Sequence, residues 1–357
     1  MNPRNHQPTI ADVARRAEVS IATVSRVLNG TTPVYAETAE RVRAAIEDLQ
    51  FVPRTAARML ASRRTDTIGL LLPEIGGTFF APLLRGIESE AQAAGFDLLI
   101  HATSHIPHAS TPSTRRPLGE HNTDGLIVFT QSIATKNLAR LHHINFPIVI
   151  LYETSPDSLK IPVITIENRS GAQKIVEHLI EIHGCRRIAF LRGPDGNEDS
   201  EWRERGYRET LETHGLPFDP VLVGVGGFNQ DDAQAAIQQW LLDGVEFDAV
   251  FAGDDDAATG VLSVLHRAGK RVPQDVKVAG FDDLPIARFL TPPLTTVRAP
   301  IEQVGREAVK QLVRLIRGQP AEPLVMMRTE LVIRESCGCR LSSSTASPDE
   351  LLSFTRR

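Results

Sequence analysis

The sequence predicts a small α-helical head joined to an α/β body of two doubly wound parallel-sheet lobes, and three observations predict it. Apolar side chains recur at helical spacing in three short blocks over residues 9–49, with a tight turn between the first two. From Thr67 onward, short continuous apolar runs alternate with amphipathic stretches, as buried parallel strands and their covering helices do. A chain of 357 residues also exceeds what one hydrophobic core organises. The expected layout is a helix-turn-helix unit at 1–52, a hinge helix and linker at 53–65, a body at 66–340 and a flexible Ser/Thr-rich tail at 341–357. Within the body, one subdomain takes about 66–165 plus 296–325, and the other 166–295 plus 326–340.

In the head, Thr9 or Asp12 caps a first helix whose buried stripe is Ile10, Val13, Ala14 and Ala17. Glu18-Val19 makes the turn, and Ser20 caps a second helix over about 21–28. Val24, Val27 and Leu28 face inward, which leaves Ile21, Ala22, Thr23, Ser25 and Arg26 on or near the outer face. Asn29-Gly30 stops this helix, because both residues tolerate the left-handed conformation. A third helix over about 36–49 buries Ala39, Val42, Ala45, Ile46 and Leu49 and turns Arg41, Arg43 and Glu47 outward.

Three short helices around one core make a minimal helix-turn-helix, able to lay its second helix in the major groove of double-stranded DNA. Arg26 suits a guanine O6/N7 pair, and Ala22 and the Thr23 methyl suit a thymine methyl. Ser20, Ser25, Asn29 and Tyr35 suit phosphate oxygens, which set register rather than sequence. The plainer alternative is a helical bundle with a solvated Arg face. Pro53 ends the third helix, and residues 54–61 have helix-forming composition but are too few to be stable alone. A segment of this kind can fold on DNA; Arg54 joins the contact set, and Leu60 can wedge between base steps in the minor groove.

In the body, strands are expected at 67–72, 97–100, 125–129, 148–151, 187–191, 248–251 and 276–280. Helices are expected at 80–94, 170–182, 202–213, 257–268 and 301–316. Ligands bind such sheets beyond the carboxyl ends of the strands, and a cleft between two lobes is the natural small-molecule site. Residues 101–120, rich in His, Pro, Ser and Thr, read as a variable mobile loop.

Charge is unevenly placed. Residues 1–64 hold ten Arg and no Lys against six acids, whereas the whole chain is net −5. A basic head on an acidic body fits one nucleic-acid face on a soluble protein. Aromatics at 5% argue against a base-stacking single-strand binder. Three cysteines are too few for a disulfide framework, residues 1–6 lack the core of a signal peptide, and no apolar run suffices for a membrane span. A cytoplasmic protein that does not bind membranes is expected.

The head motif, Asp12-Val13-Ala14 through Val24-Ser25-Arg26-Val27-Leu28-Asn29, resembles the lactose/galactose-repressor (LacI/GalR) family of bacterial transcription regulators, and the likeness runs from about Thr9 to Ser336. The resemblance implies that Arg26, Ile21 and Ala22 read bases, and that Leu60 intercalates at the operator centre with Ala57 beside it. It also implies a periplasmic-binding-protein-like body whose two subdomains are joined by three crossovers, with the effector in the cleft. Three stretches carry that part: 73–81, Gly193-Pro194 with 200–207, and 253–260 with Gly280-Phe281-Asp282-Asp283. Phe79, Phe80, Arg203, Asp254 and Asp282 are the implied effector contacts. Their chemistry suits the role: a ring to stack on an apolar sugar face or a base, a guanidinium to fork onto hydroxyls or a carboxylate, and carboxylates at strand ends to take hydroxyl hydrogen bonds. Helix capping is the competing role for Asp254 and Asp282 and the favoured one for Asp255 and Asp283. Trp202 reads as cleft wall or core. Many relatives carry Asn where this chain has Asp254, and an acid there disfavours anionic effectors and favours sugars, polyols or amines.

No metal or cofactor is read from the sequence. His101, His105 and His108 have no regular element to carry them, and Cys337-Gly338-Cys339 is too tight for a closed zinc site without two further ligands. That pair reads instead as exposed thiols after the last strand. The tail lacks the heptads of a coiled coil. The function expected is a DNA-binding regulator, not an enzyme: a repressor that sits as a homodimer on a pseudo-palindromic operator and answers to a small molecule, a carbohydrate by preference. The alternatives are a solute-binding protein without a transcriptional role, or an effector such as a nucleobase. An enzyme using Asp254 and Asp282 ranks last, since no nucleophile–base pair accompanies them.

Overall fold

The computed structural model describes residues 8–29, 32–51, 64–103, 118–156 and 158–339. The chain divides into two compact units, Met1–Thr65 and Asp66–Arg357.

The first unit is built on three helices: α1 (Ile10–Arg16), α2 (Ile21–Asn29) and α3 (Ala36–Asp48). Thr9 rather than Asp12 is the cap of α1, and the two form a reciprocal capping box in which Asp12 Oδ2 accepts from the Thr9 backbone N–H at 2.9 Å. Glu18 takes φ 55°, which reverses the chain between α1 and α2. Ser20 Oγ then accepts from the Thr23 N–H at 3.1 Å and opens α2 as expected. Val13, Ala14, Ala17, Val24, Val42 and Ala45 close the core, together with Phe51, a residue the periodicity did not reach.

The second unit carries two parallel sheets. In the first, β1 (Thr67–Leu72) pairs with β2 (Asp97–Ala102) and β3 (Gly125–Phe129), followed outward by β4 (Ile148–Leu151) and β5 (Val163–Ile166). The helices α4 (Phe80–Ala94) and α5 (Thr135–His143) join its strands. The chain then leaves through α6 (Asn168–Glu181) for the second sheet, in the order β7-β6-β8-β9. Its strands are β6 (Ile188–Arg192), β7 (Val223–Val225), β8 (Ala249–Ala252) and β9 (Lys277–Ala279). They are connected by α7 (Glu198–Thr213), α8 (Gln230–Leu242) and α9 (Asp255–Arg267). It returns through β10 (Thr296–Arg298) and α10 (Ile301–Ile316) to place β11 (Leu324–Met327) beside β5. Finally it pairs β12 (Glu330–Val332) antiparallel with β10. The lobes are therefore linked by three passages of chain.

The central strands bury nearly every residue, which is why they read as unbroken apolar runs. Against the first sheet, α4 and α10 cross closely at two glycines. A Cβ on Gly86 would lie 2.1 Å from the Glu302 carbonyl oxygen, and one on Gly305 would lie 2.5 Å from that of Leu83. The expected loop at 101–120 is corrected at both ends: His101 and Ala102 belong to β2, and Leu118 is core. Its positions 104–117 lie outside the described residues, as do the expected hinge residues Arg54, Ala57 and Leu60 and the tail at 341–357.

Candidate functional site

Two sites follow from these elements. On the head, Ser20, Ile21, Ala22 and Arg26 are exposed along α2, and Thr23 and Ser25 are half-buried on the same helix. Asn29 ends the helix, and Tyr35, just before α3, is fully turned to solvent. Ile21 stands out because 51% of an apolar side chain is left exposed at the start of the helix. Ser20 Oγ also lies 2.9 Å from Thr23 Oγ1, so these two hydroxyls are partly committed to each other. An outward row of one Arg, small polar groups and one isoleucine is what base edges and phosphates can meet.

In the body, the carboxyl ends of both sheets face one another. Arg203, on the first turns of α7, is only 3% exposed. Its Nε donates to Asn168 Oδ1 at 2.8 Å, one terminal nitrogen donates to the Gly253 carbonyl at 2.6 Å, and the other reaches Asp282 Oδ1 at 3.5 Å. The guanidinium lies 3.8 Å from the Phe281 ring centre and 5.3 Å from that of Phe228. Asn168 also donates to Asp199 at 2.7 Å. Three buried carboxylates, Asp199, Asp254 and Asp282, thus lie within the field of one guanidinium, and a fourth, Asp255, is buried beside Asp254 and Asp282.

Burial sets their protonation. Desolvation, followed by the neighbouring Asp282 charge, pushes Asp254 up to about 8. Desolvation also raises Asp199 to about 7, and raises Asp282 to about 6 against the pull of Arg203. Asp255 is raised well above the usual carboxylate range, again by burial first. Near neutrality, therefore, Asp254 is mostly a carboxylic acid that can donate as well as accept. This softens the expectation that an acid at this position turns anions away.

The first lobe supplies an aromatic wall. Phe79 meets Phe80 at 5.5 Å and Tyr152 at 5.7 Å between ring centres, and Phe80 meets Phe129 at 5.3 Å. Phe80 is core, while Phe79 is only half-buried. Tyr152 is wholly buried with φ 60°, and its hydroxyl finds no hydrogen-bond partner among the described residues. Hydrogen bonds close the cleft: Thr78 to Asp256 at 2.6 Å, Gln131 to the Gly196 carbonyl at 2.9 Å, and the Thr154 N–H to Glu198 at 2.5 Å, with the Thr154 hydroxyl bonded to the same carboxylate.

All five expected effector residues fall at these facing ends, but their roles differ in part from the expectation. Asp254 does cap α9, accepting from the Ala257 N–H at 2.8 Å through Oδ1. Asp255, expected as a cap, instead accepts from the Leu284 N–H at 2.7 Å and Thr296 Oγ1 at 2.6 Å, tying a loop to β10. Asp283 is no cap either: it pairs with Arg298 at 2.7 Å and with Arg334. Trp202 is not core; it is partly exposed and helps line a groove of about 810 Å³ with Thr154, Asn168, Glu198 and Leu324. That groove, beside the β5–β11 edge, holds none of the five. The carboxylate cluster, closed by the lobes, is the better candidate because the buried charge lies there. Asn168, Asp199 and Phe228 were missed, and Phe281 was not assigned a role. The Gly280-Phe281-Asp282 string did flag Phe281, but the pairing of Asn168 with Asp199, 31 residues apart, left no local trace.

A groove-reading helix on one unit and a two-lobed ligand-binding body on the other define a ligand-responsive transcription regulator. Residues 9–54 match the profile of bacterial regulatory proteins of the lacI family, and residues 176–337 that of a periplasmic binding protein-like domain. The ribose operon repressor of Halalkalibacterium halodurans is 34% identical over 92% of this chain and 96% of its own length. The HTH-type transcriptional regulator CelR of Thermobifida fusca is 35% identical over 93% and 99%. A lac repressor dimer bound to operator and the anti-inducer ONPF aligns with a TM-score of 0.78 at 25% identity, covering 92% of this chain and 99% of that one. A CelR–cellobiose complex aligns at 0.67 and 32% identity over the same shares. The chain belongs to the lacI family: it is a DNA-binding transcription regulator and not an enzyme. No helix among the described residues is long and apolar enough to cross a membrane.

Proposed function

We propose that this protein represses transcription in the cytoplasm as a homodimer on a pseudo-palindromic operator, and that a sugar or sugar derivative bound between its lobes changes its operator affinity. The observation that carries the effector class is the set of buried carboxyls around Arg203, with Asp254 at about 8 and Asp199 at about 7. Acids poised between neutral and charged forms both donate and accept, which matches the hydroxyl groups of a polyol. Phe79 offers the apolar face that a sugar ring stacks on. The names of relatives point the same way, one a ribose operon repressor and another a CelR–cellobiose complex.

Ser20, Ile21, Ala22, Thr23, Ser25, Arg26, Asn29 and Tyr35 form the DNA face of this reading. Arg54, Ala57 and Leu60, outside the described residues, are its further expected contacts. One helix-turn-helix unit reads only a half-site, so a two-fold dimer is required. Where the effector changes operator affinity, by linkage DNA must change effector affinity by the same factor. A nucleobase is the second reading, favoured by the cluster of Phe79, Phe80, Phe129 and Tyr152, on which a planar base could stack.

Thermal-shift titration of the full-length protein against pentoses, hexoses, disaccharides, polyols, nucleosides and purines tests the effector class. Stabilisation that grows with sugar concentration, as mass action requires, supports it. A shift with purines alone transfers the site to the second reading. No shift with any of them overturns both while leaving the DNA-binding role intact.

A further inference from the structure

The inference concerns a cluster far along the chain from the cleft residues. His178 sits in the last turns of α6, His183 in the turn that follows, and Cys337 and Cys339 in the segment after β12. The segment lies on the second sheet, where the Val278 N–H donates to the Ser336 carbonyl at 3.0 Å and the Ser336 hydroxyl donates to the Val278 carbonyl at 2.6 Å. Sequence reasoning dismissed the cysteine pair for want of two more ligands and expected it to be exposed. Instead Cys337 is fully buried and Cys339 half-buried, and the two histidines supply the missing ligands.

The four side chains converge on one point. All four ligand atoms lie within 4.8 Å of one another. His178 Nε2 and His183 Nε2 are 3.2 Å apart, and Cys337 Sγ is 3.4 Å from His178 Nε2. Cys339 Sγ is 3.4 Å from His183 Nε2 and 3.8 Å from His178 Nε2. A tetrahedral zinc ion with ordinary bond lengths requires edges of about 3.3 Å between nitrogens and about 3.6 Å between nitrogen and sulfur. The four edges scatter around those values without any side chain having moved.

The local sequence fits as well. Two histidines separated by four residues have the spacing that zinc modules use, whereas a single residue between cysteines is unusually tight. Gly338 relieves that: at φ 105° it takes a backbone conformation that residues with a side chain rarely adopt, and the two thiols either side of it approach the same pair of histidines, while a Cβ there would stand 3.4 Å from the His183 ring. Thr295 Oγ1 donates to Cys337 Sγ at 3.1 Å, an outer-sphere hydrogen bond that a thiolate ligand favours.

We propose that His178, His183, Cys337 and Cys339 form a closed structural zinc site that clasps the end of the described chain to α6. On loading, each thiol gives its proton to solvent as its sulfur bonds the ion. Two thiolates balance the dication, so the half-buried site is electrically neutral. Four protein ligands leave no open position, which makes the ion a staple and not a catalyst.

The test is made on the full chain, purified without chelator from zinc-supplemented medium. Elemental analysis is expected to give about one zinc per chain, as a closed four-ligand site requires. After metal removal, cobalt(II) titration should produce the visible ligand-field bands of tetrahedral coordination together with thiolate charge-transfer bands, saturating at one equivalent. Cys339→Ser and His183→Gln should lose the bound zinc and lower the thermal midpoint, while operator binding at low temperature persists. Absence of zinc together with a featureless cobalt titration of the native chain overturns the proposal, whether or not the variants fold. So does zinc retained in full by both variants, or a Cys337–Cys339 disulfide in protein purified under reducing conditions.

Discussion

The head and the cleft use their polar side chains in opposite ways. On α2 the candidate DNA contacts point outward from a small core, and the fold survives on the residues behind them. In the cleft, Arg203 is held by Asn168, Gly253 and Asp282 and stacked on Phe281, so the candidate ligand contacts are also structural members of the body. The lesson is that function on the head can be changed residue by residue. In the cleft, each substitution is also a change in stability.

The comparison breaks first at Arg203. Arg203→Ala leaves several buried carboxylates without their cation, and loss of one partner from a buried charged network costs about 3–5 kcal/mol. Denaturant unfolding of the body should show a loss of that order. A change below 1 kcal/mol would mean the carboxyls are already neutral and the guanidinium is dispensable to the fold.

The protonation of the cleft gives the next largest effect. An unfolded Asp ionises near 4, whereas Asp254 in the folded chain holds its proton to about 8. Between those values the folded state binds more protons, so stability must fall as pH rises through the window and level off above it. The slope is at most about 1.4 kcal/mol per pH unit for each such group. Thermal midpoints measured from pH 5 to pH 9 should decline, and Asp254→Asn should flatten the decline. A profile rising over that range would sink the assignment.

On the head the effects are smaller, and those on DNA contacts leave the fold alone. Arg26→Ala should weaken operator binding by about 1–3 kcal/mol and relax preference at one base pair per half-site, read by competition among operator variants. Equal weakening on every sequence would place Arg26 on phosphate. Smallest is Thr9→Ala, which removes half of the capping box and should lower the stability of the head by about 1 kcal/mol without altering sequence preference.

This contrast also explains what could be read from the sequence. The head was legible almost entirely, because three helices sharing one core mark their outer faces by period alone; only Phe51, beyond the last helical repeat, escaped. Most of the buried strands were legible because both faces are apolar, but the four-residue β5 was missed although it is buried, its run being broken by Thr165. The short strands β7, β10, β11 and β12 were also missed: each has only three or four residues, too few to show a period. In the site, residues at strand ends within a recognisable string, such as Arg203, Asp254 and Asp282, could be named in advance. Asn168, Phe228 and the His178–Cys339 cluster could not, since the partners that define them lie 25 to 161 residues away and meet only in the folded body.

The Tyr152 hydroxyl carries a consequence for selectivity. A buried hydroxyl without a partner costs the folded protein about 1–3 kcal/mol, a deficit that a ligand oxygen at that spot would remove. Sites of this kind discriminate unevenly: they tolerate an extra methylene with modest loss, but penalise a molecule that lacks the one group they bond. If the effector is a sugar with an oxygen against Tyr152, its deoxy analogue at that carbon should bind about 5- to 150-fold more weakly, the range that 1–3 kcal/mol implies.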